Sequence, residues 1–322
     1  MRVARLFGAG DIRLLDDSLP SASPGARLVE VTSVGICGSD LHWFTEGGIG
    51  DAVTSSPLVL GHEMAGVIRG GPDDGVRVAI DPAIPCLRCE PCRDGWPNLC
   101  LNIVFAGHGS TDGGLRQFLT WPADRLHPLP DKLSYDDGAM LEPLGVALHA
   151  LDLGHVRMAS TVAVVGCGPI GLLLVQLAAR HGATRVLAAE PLPHRLAAAL
   201  EFGAVPASGD PVADVVFEVS GSPAAVDTAL RLAKPGARVV LVGIPDGDHT
   251  TFSASIARRK GLTLVLARRM GEVYPRAIDL AASGAVDLAS VVSDVHGLSD
   301  VAEAFAAAAA RTGLKVVVHP NG

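Results

Sequence analysis

The chain has 322 residues, room for two domains at ~100–200 residues each. Its 26 Lys and Arg against 34 Asp and Glu give a net charge of −8, which argues against a dedicated nucleic-acid binder, since phosphate neutralisation needs a basic face. Apolar residues make up 48% and charged residues 19%, so there is material for a buried core and no signature of disorder.

The opening Met1-Arg2-Val3-Ala4-Arg5 has no apolar signal core and no small-residue cleavage site, which predicts a cytoplasmic protein with reduced cysteines. The first half reads as short strands between long loops carrying Gly, Pro, Cys and His. Residues 28–32 alternate, 58–60 form a short apolar run, and 77–80 form another. From Thr161 the rhythm changes. Strands at 162–165, 185–189, 215–219 and 238–242 alternate with helices at 170–181, 194–202 and 224–232. Strands alternating with helices predict an α/β fold with a doubly wound parallel sheet. The tail adds a helix at 300–310 and a strand at 315–318. Residues 161–179 carry no charge and imitate a membrane span, but Gly166, Gly168, Pro169 and Gly171 interrupt it. A strand, a tight turn and a helix explain it better, so no membrane partner is expected.

That turn, Gly166-Cys167-Gly168-Pro169-Ile170-Gly171, matches G-x-G-x-x-G with a strand before it and a helix after it. Such glycines let backbone amides approach a pyrophosphate at the helix N-terminus. Glu190 lies at the end of the next strand, where an acid binds ribose hydroxyls and favours NAD over NADP. Arg195 fits either a solvated helix face or a 2′-phosphate contact. Cys167 reads as a small apolar filler. The bland alternative is a ligand-free strand–helix turn.

Four of the six cysteines, Cys86, Cys89, Cys92 and Cys100, fall in one proline-rich loop. Thiolates this close suit a tetrahedral structural zinc that folds an otherwise coreless segment. An iron–sulfur cluster and disulfides are the competing readings. The first three spacings fit a ferredoxin, but the C-x3-C-P ending is absent.

Cys37, with Ser39 and His42 beside it, precedes His62-Glu63. Cys, His and carboxylate are the ligand types of a catalytic zinc with one open position. A hydroxyl and an imidazole can pass a proton from an alcohol to solvent. Taken singly, these residues also read as a buried thiol, a satisfied core histidine and a capping acid. No sixth cysteine stands where it could complete a Cys₂His set, so a carboxylate must replace the second thiolate.

These motifs together resemble the zinc-dependent medium-chain dehydrogenases, in particular their polyol branch. Residues 35–44, 47–50 and 57–63 resemble sorbitol and L-idonate 5-dehydrogenases, and 85–102 and 217–223 look closest to the L-idonate enzymes. Leu141-Glu142-Pro143-Leu144 resembles the segment where that branch carries Glu instead of a third cysteine. The likeness implies a GroES-like, mostly β catalytic domain at 1–145, completed by 284–322, and a Rossmann nucleotide-binding domain at 146–283. It implies that Cys37 and His62 bind catalytic zinc, with Glu63 a third or alternating ligand. Glu142 would hold the zinc-bound water or ligate in its turn. It also implies that Ser39 and His42 relay the proton, that the four clustered cysteines hold a second zinc, and that Arg269 binds substrate. The expected reaction is hydride transfer from a secondary alcohol of a polyol or aldonate to NAD(P)⁺, by a homodimer or homotetramer pairing through 236–244. For an aldonate carboxylate, Arg116, Arg268 and Arg269 are the candidate cations.

Three departures stand out. Trp43 replaces a common Tyr, the 69–77 loop is compressed, and 203–214 is short and lacks a crossover helix. Competing functions are a threonine or butanediol dehydrogenase and a non-catalytic, nucleotide-binding quinone-reductase relative.

Overall fold

Two units emerge from the contacts of the chain: 1–142 with 274–284 and 288–322, and 143–273 with 285–287. This computed structural model describes residues 1–50, 52–53, 57–208 and 212–322.

The first unit is built on a mostly antiparallel sheet. Its strands run in the order Leu126–Pro128, Arg77–Ile80, Glu63–Arg69, Ala26–Gly35, Lys315–His319, Val292–Gly297, with Phe118–Pro122 also paired to Ala26–Gly35. Ala26–Gly35 alternates at first and is fully buried in its last three residues. There it is flanked on both sides, by Glu63–Arg69 and Lys315–His319. The helix Val301–Ala310 lays Val301, Ala304 and Phe305 on the core, the i, i+3, i+4 spacing of one helical face.

Two expectations change here. Residues 58–60 form no strand: Leu58 makes one bridge to Leu6, while Val59 and Leu60 accept from Gly113 and Leu115. Their apolar run packs as a buried loop leading to His62. The boundary predicted at 283 also moves, because the helix Tyr274–Ala282 belongs with the first unit. Its Tyr274 donates to Ile80 O at 3.0 Å and stacks on His127 with ring centroids 4.5 Å apart.

The second unit is a six-stranded parallel sheet, ordered Val205–Pro206, Arg185–Ala189, Thr161–Val165, Ala213–Glu218, Ala233–Leu241, Thr263–Leu266. Its helices Pro169–Arg180, Pro193–Glu201 and Pro223–Leu232 each begin with Pro, whose missing N–H costs nothing in the first turn. Strand order reverses between Thr161–Val165 and Ala213–Glu218, the place where open α/β sheets bind ligands at their carboxyl edge. The stretch 236–244, expected to be a pairing edge, lies one strand inside. The edge is Thr263–Leu266, with Leu266 78% exposed. The short 203–214 segment holds the strand Val205–Pro206, then residues 207, 208 and 212 in neither helix nor strand. Residues 209–211 lie outside the described residues. Among the described residues no helix is long and apolar enough to cross a membrane.

Candidate active site

Cys37 sits at the N-cap of the helix Gly38–Glu46, where the Ala26–Gly35 strand turns away. Asp40, in the first turn, accepts the Cys37 N–H at 2.9 Å and the Gly61 N–H at 3.2 Å. The same carboxylate lies 3.4 Å from His62 Nδ1. One buried acid therefore fixes the loop carrying Cys37, the loop carrying His62 and the His62 ring. With Nδ1–H aimed at Asp40, Nε2 presents its lone pair, as metal-binding histidines with a carboxylate partner do. Cys37, His62 and Glu63 each offer one ligand atom, all within 4.8 Å of one another.

Ser39 Oγ lies 3.3 Å from His62 Nε2. His42, three residues on along the helix, is half-buried and pairs its Nδ1 with Glu46 at 2.8 Å. Glu142 is buried on the helix Tyr135–Gly154 and stands outside the three-ligand group. Burial pushes its carboxyl up to about 7, with His62 opposing and Glu63 reinforcing the rise.

Burial works against a charged His62, yet Asp40 and Cys37 hold its imidazole well above the ordinary range. Anionic groups crowding one imidazole are what a cation relieves, and the thiolate, imidazole and carboxylate set suits zinc.

Lys315, which sequence reasoning passed over, is 3% exposed and ion-paired to Glu63 Oε2. Gly35 makes the space: a Cβ there would overlap that carboxylate and stand 2.9 Å from Lys315 Cε. The available signal was a rare lysine, one of four, opening an apolar strand.

The four-cysteine loop brings Cys86, Cys89, Cys92 and Cys100 within the same 4.8 Å limit. Cys89 Sγ lies 3.4 Å from Cys92 Sγ and 3.8 Å from Cys100 Sγ. All four thiols are free. Amides of Arg88 and Cys89 pull Cys86 down to about 6, while burial and neighbouring thiols push Cys92 up to about 12. Four sulfurs so placed fit a soft tetrahedral cation.

In the second unit, Gly166 takes φ 93°, and a Cβ on Gly171 would overlap the Gly166 carbonyl. Gly168 caps the helix that Pro169 and Ile170 begin. Glu190 accepts from Cys167 N at 2.6 Å and Leu192 N at 2.9 Å, which fixes its carboxylate beside the turn. A guanidinium nitrogen of Arg195 lies 3.6 Å from where a Gly168 Cβ would stand. The glycine turn, helix N-terminus and acid suit a nicotinamide dinucleotide.

Glu218, also missed from sequence, ends the Ala213–Glu218 strand and is 1% exposed. It accepts from Ser220 N and Gly221 N, both at 2.8 Å. Cβ atoms on Gly221 and Gly243 would overlap the facing backbone, so these two loops lie in direct contact.

Arg269 follows the Thr263–Leu266 strand with φ 55°. Arg116 is 8% exposed, pairs with Asp112 at 2.7 Å and donates to Gly113 O at 3.2 Å.

The family model described as alcohol dehydrogenase GroES-like domain matches residues 23–131, and that described as zinc-binding dehydrogenase matches 169–283. Sorbitol dehydrogenase of Bacillus subtilis is 33% identical over 100% of this chain and 98% of its own. This chain belongs to the zinc-dependent medium-chain dehydrogenases, in their polyol branch. Solved members share its fold. L-idonate 5-dehydrogenase of Escherichia coli has a TM-score of 0.89 at 28% identity, over 99% of this chain and 97% of that one. A putative zinc-binding dehydrogenase of Sinorhizobium meliloti, bound to NADP, has a TM-score of 0.90 at 32% identity, over 99% of both. The chain is therefore an enzyme of the polyol dehydrogenase kind that uses zinc and a nicotinamide cofactor on a small-molecule substrate.

Proposed function

We propose that the enzyme oxidises a secondary alcohol of a polyol or an aldonate such as L-idonate, with NAD⁺ as hydride acceptor and two zinc ions per chain. The observation that carries this reading is the convergence of Cys37, His62 and Glu63 within 4.8 Å, with the Ser39 hydroxyl 3.3 Å from His62. Zinc held there supplies Lewis acidity, which makes a substrate hydroxyl acidic near neutral pH. Ser39 Oγ accepts that proton as it releases its own to His42, which carries it outward. Asp40 holds the His62 ring in place, and Glu142 stands behind as a buried carboxyl. Arg269 contacts the substrate.

Gly166, Gly168 and Gly171 open the backbone to the pyrophosphate. Glu190 receives the ribose hydroxyls and repels a 2′-phosphate, which favours NAD. Cys86, Cys89, Cys92 and Cys100 hold the second zinc. Free cysteines suit the reducing cytoplasm. The exposed Thr263–Leu266 edge suits pairing into a homodimer or homotetramer, which light scattering reads directly.

The test is NADH and NADPH formation across polyols, aldonates, 3-hydroxy amino acids and diols, with metal analysis alongside. Two zinc ions and turnover of a polyhydroxy substrate are expected. Cys37→Ser should lose one zinc and all turnover while staying folded. Activity confined to diols or amino acids, or one zinc with no turnover, overturns the reading.

A further inference from the structure

We propose that Lys315 is a positioning residue that divides Glu63 between an internal ion pair and the metal, keeping one coordination position open to substrate. The inference rests on the metal centre proposed above and concerns which residue controls it.

Three observations carry it. First, the pair is sealed: Glu63 is 1% and Lys315 3% exposed, so neither charge has solvent as an alternative partner. Second, the socket is rigid. Val317 is in register with Gly35, and Ile36 donates to Val316 O at 3.0 Å, so the strand carrying Lys315 is stitched to the segment carrying Cys37. The Lys315 stem and the Glu63 carboxylate fill the volume that a side chain at Gly35 would take. Third, Glu63 belongs to the three-residue ligand group while one of its oxygens is already held by Lys315.

The charges make the consequence definite. Cys37 as thiolate, Asp40 and Glu63 are three anions around one centre, and Cys37 and Asp40 both lie within electrostatic reach of Lys315. A divalent cation balances two of them and Lys315 balances the third. Buried ion pairs contribute little over apolar residues of the same size, so packing alone gives no reason for a lysine here. Without Lys315, and with His62 neutral as a ligand, the metal is the cation left to Glu63 among the described groups of this site. The carboxylate then binds the metal fully, metal affinity rises, and the position needed by substrate closes. Metal affinity and turnover therefore move in opposite directions.

The experiment compares wild type, Lys315→Met, Lys315→Gln and Lys315→Arg by zinc competition against a chromophoric chelator, cobalt(II) absorption after metal exchange, and kcat. Lys315→Met should hold the catalytic zinc more tightly, by of order 10-fold, with a lower kcat and an altered cobalt spectrum. Lys315→Arg should restore all three. In a Glu63→Gln background, Lys315→Met should leave zinc affinity unchanged, since the competing carboxylate is gone. If Lys315→Met does not fold, Lys315→Gln is judged by the same criteria, and the melting temperature of each variant accompanies every measurement. Wild-type or weaker zinc binding in a folded, charge-neutral variant overturns the proposal, as does an unchanged effect in the Glu63→Gln background. Failure of neutral variants to fold with or without zinc, with Lys315→Arg folded, also overturns it and makes the pair purely structural. A wild-type chain with zinc only at the four cysteines is a different result, because the catalytic metal reading itself has then failed.

Discussion

Asp40 faces His62 across 3.4 Å in a site where both side chains are buried. Because the same carboxylate accepts the Cys37 and Gly61 amides, it couples ring orientation to the backbone of two loops. Asp40→Asn preserves size but removes the charge. Zinc affinity at this centre should fall about 10–100-fold, with kcat falling alongside. Chelator competition and steady-state rates check it. Unchanged affinity would show that the carboxylate does not tune the ring.

Gly35→Ala places a methyl group inside the Glu63 socket. Overpacking of this kind costs about 1–3 kcal/mol, and here it also pushes the carboxylate away from Lys315. The expected result is a lower denaturation midpoint together with loss of turnover. Gly38→Ala is the control, because nothing lies within 4 Å of a Cβ at that position.

Glu218→Ala leaves the Ser220 and Gly221 amides without their acceptor, at a cost of about 1–3 kcal/mol for the buried Gly221 group and less for the more exposed Ser220. Since these loops lie at the carboxyl edge of the sheet beside the strand reversal, cofactor affinity should weaken along with stability. Titration of bound NADH fluorescence reads the first and thermal melting the second. Glu218→Gln keeps an acceptor oxygen and should recover most of both. Normal cofactor affinity in a destabilised Glu218→Ala variant would confine Glu218 to a structural role.

If zinc folds the four-cysteine loop as proposed, its removal should expose that loop selectively. Trypsin should then cut at Arg88 and Arg93 in the chelated protein or in Cys86→Ser, but not in the zinc-loaded protein. Equal protection with and without zinc would show that the loop holds itself.

His319 pairs with Asp136 at 2.7 Å, and Asp136 also accepts from Ser33 at 2.7 Å. The Asp136 hydrogen bond raises the His319 imidazole above its ordinary 6.5. Its stabilisation is therefore full below 6.5 and is lost as pH rises through the higher folded value. Burial opposes ionisation of Asp136, but His319 and Ser33 hold its carboxyl below the ordinary 3.8. That contribution is present above 3.8 and lost as pH falls through the lower folded value. The pair thus contributes most between those limits, by about 0.2–1 kcal/mol for partly exposed groups. His319→Gln should lower the urea midpoint at about pH 5–6 and leave it unchanged near pH 9. A uniform loss at all pH values would contradict the ion pair.

The elements legible in sequence are those whose parts are contiguous. The glycine turn lies between its own strand and helix, and the four cysteines share one loop. The helix Tyr135–Gly154 was not legible, because residues 138–151 are buried almost throughout and interrupted by Gly138, Pro143 and Gly145, so no amphipathic period survives. The run at 58–60 has strand composition but no neighbouring strand to pair with beyond a single bridge.

By itself, the sequence determined which residue sets are present: a glycine turn, two groups of candidate metal ligands, and a hydroxyl and an imidazole beside one of them, each carried by residue type and short spacing. Only the tertiary structure decided how those groups are charged and held. Asp40, Lys315 and Glu218 act through burial and through partners that other strands and loops bring to them. Lys315 meets Glu63 only because two strands 252 residues apart in sequence flank Gly35 in one sheet. Spacing along the chain records local geometry, whereas the field at a buried site sums over neighbours that only folding supplies.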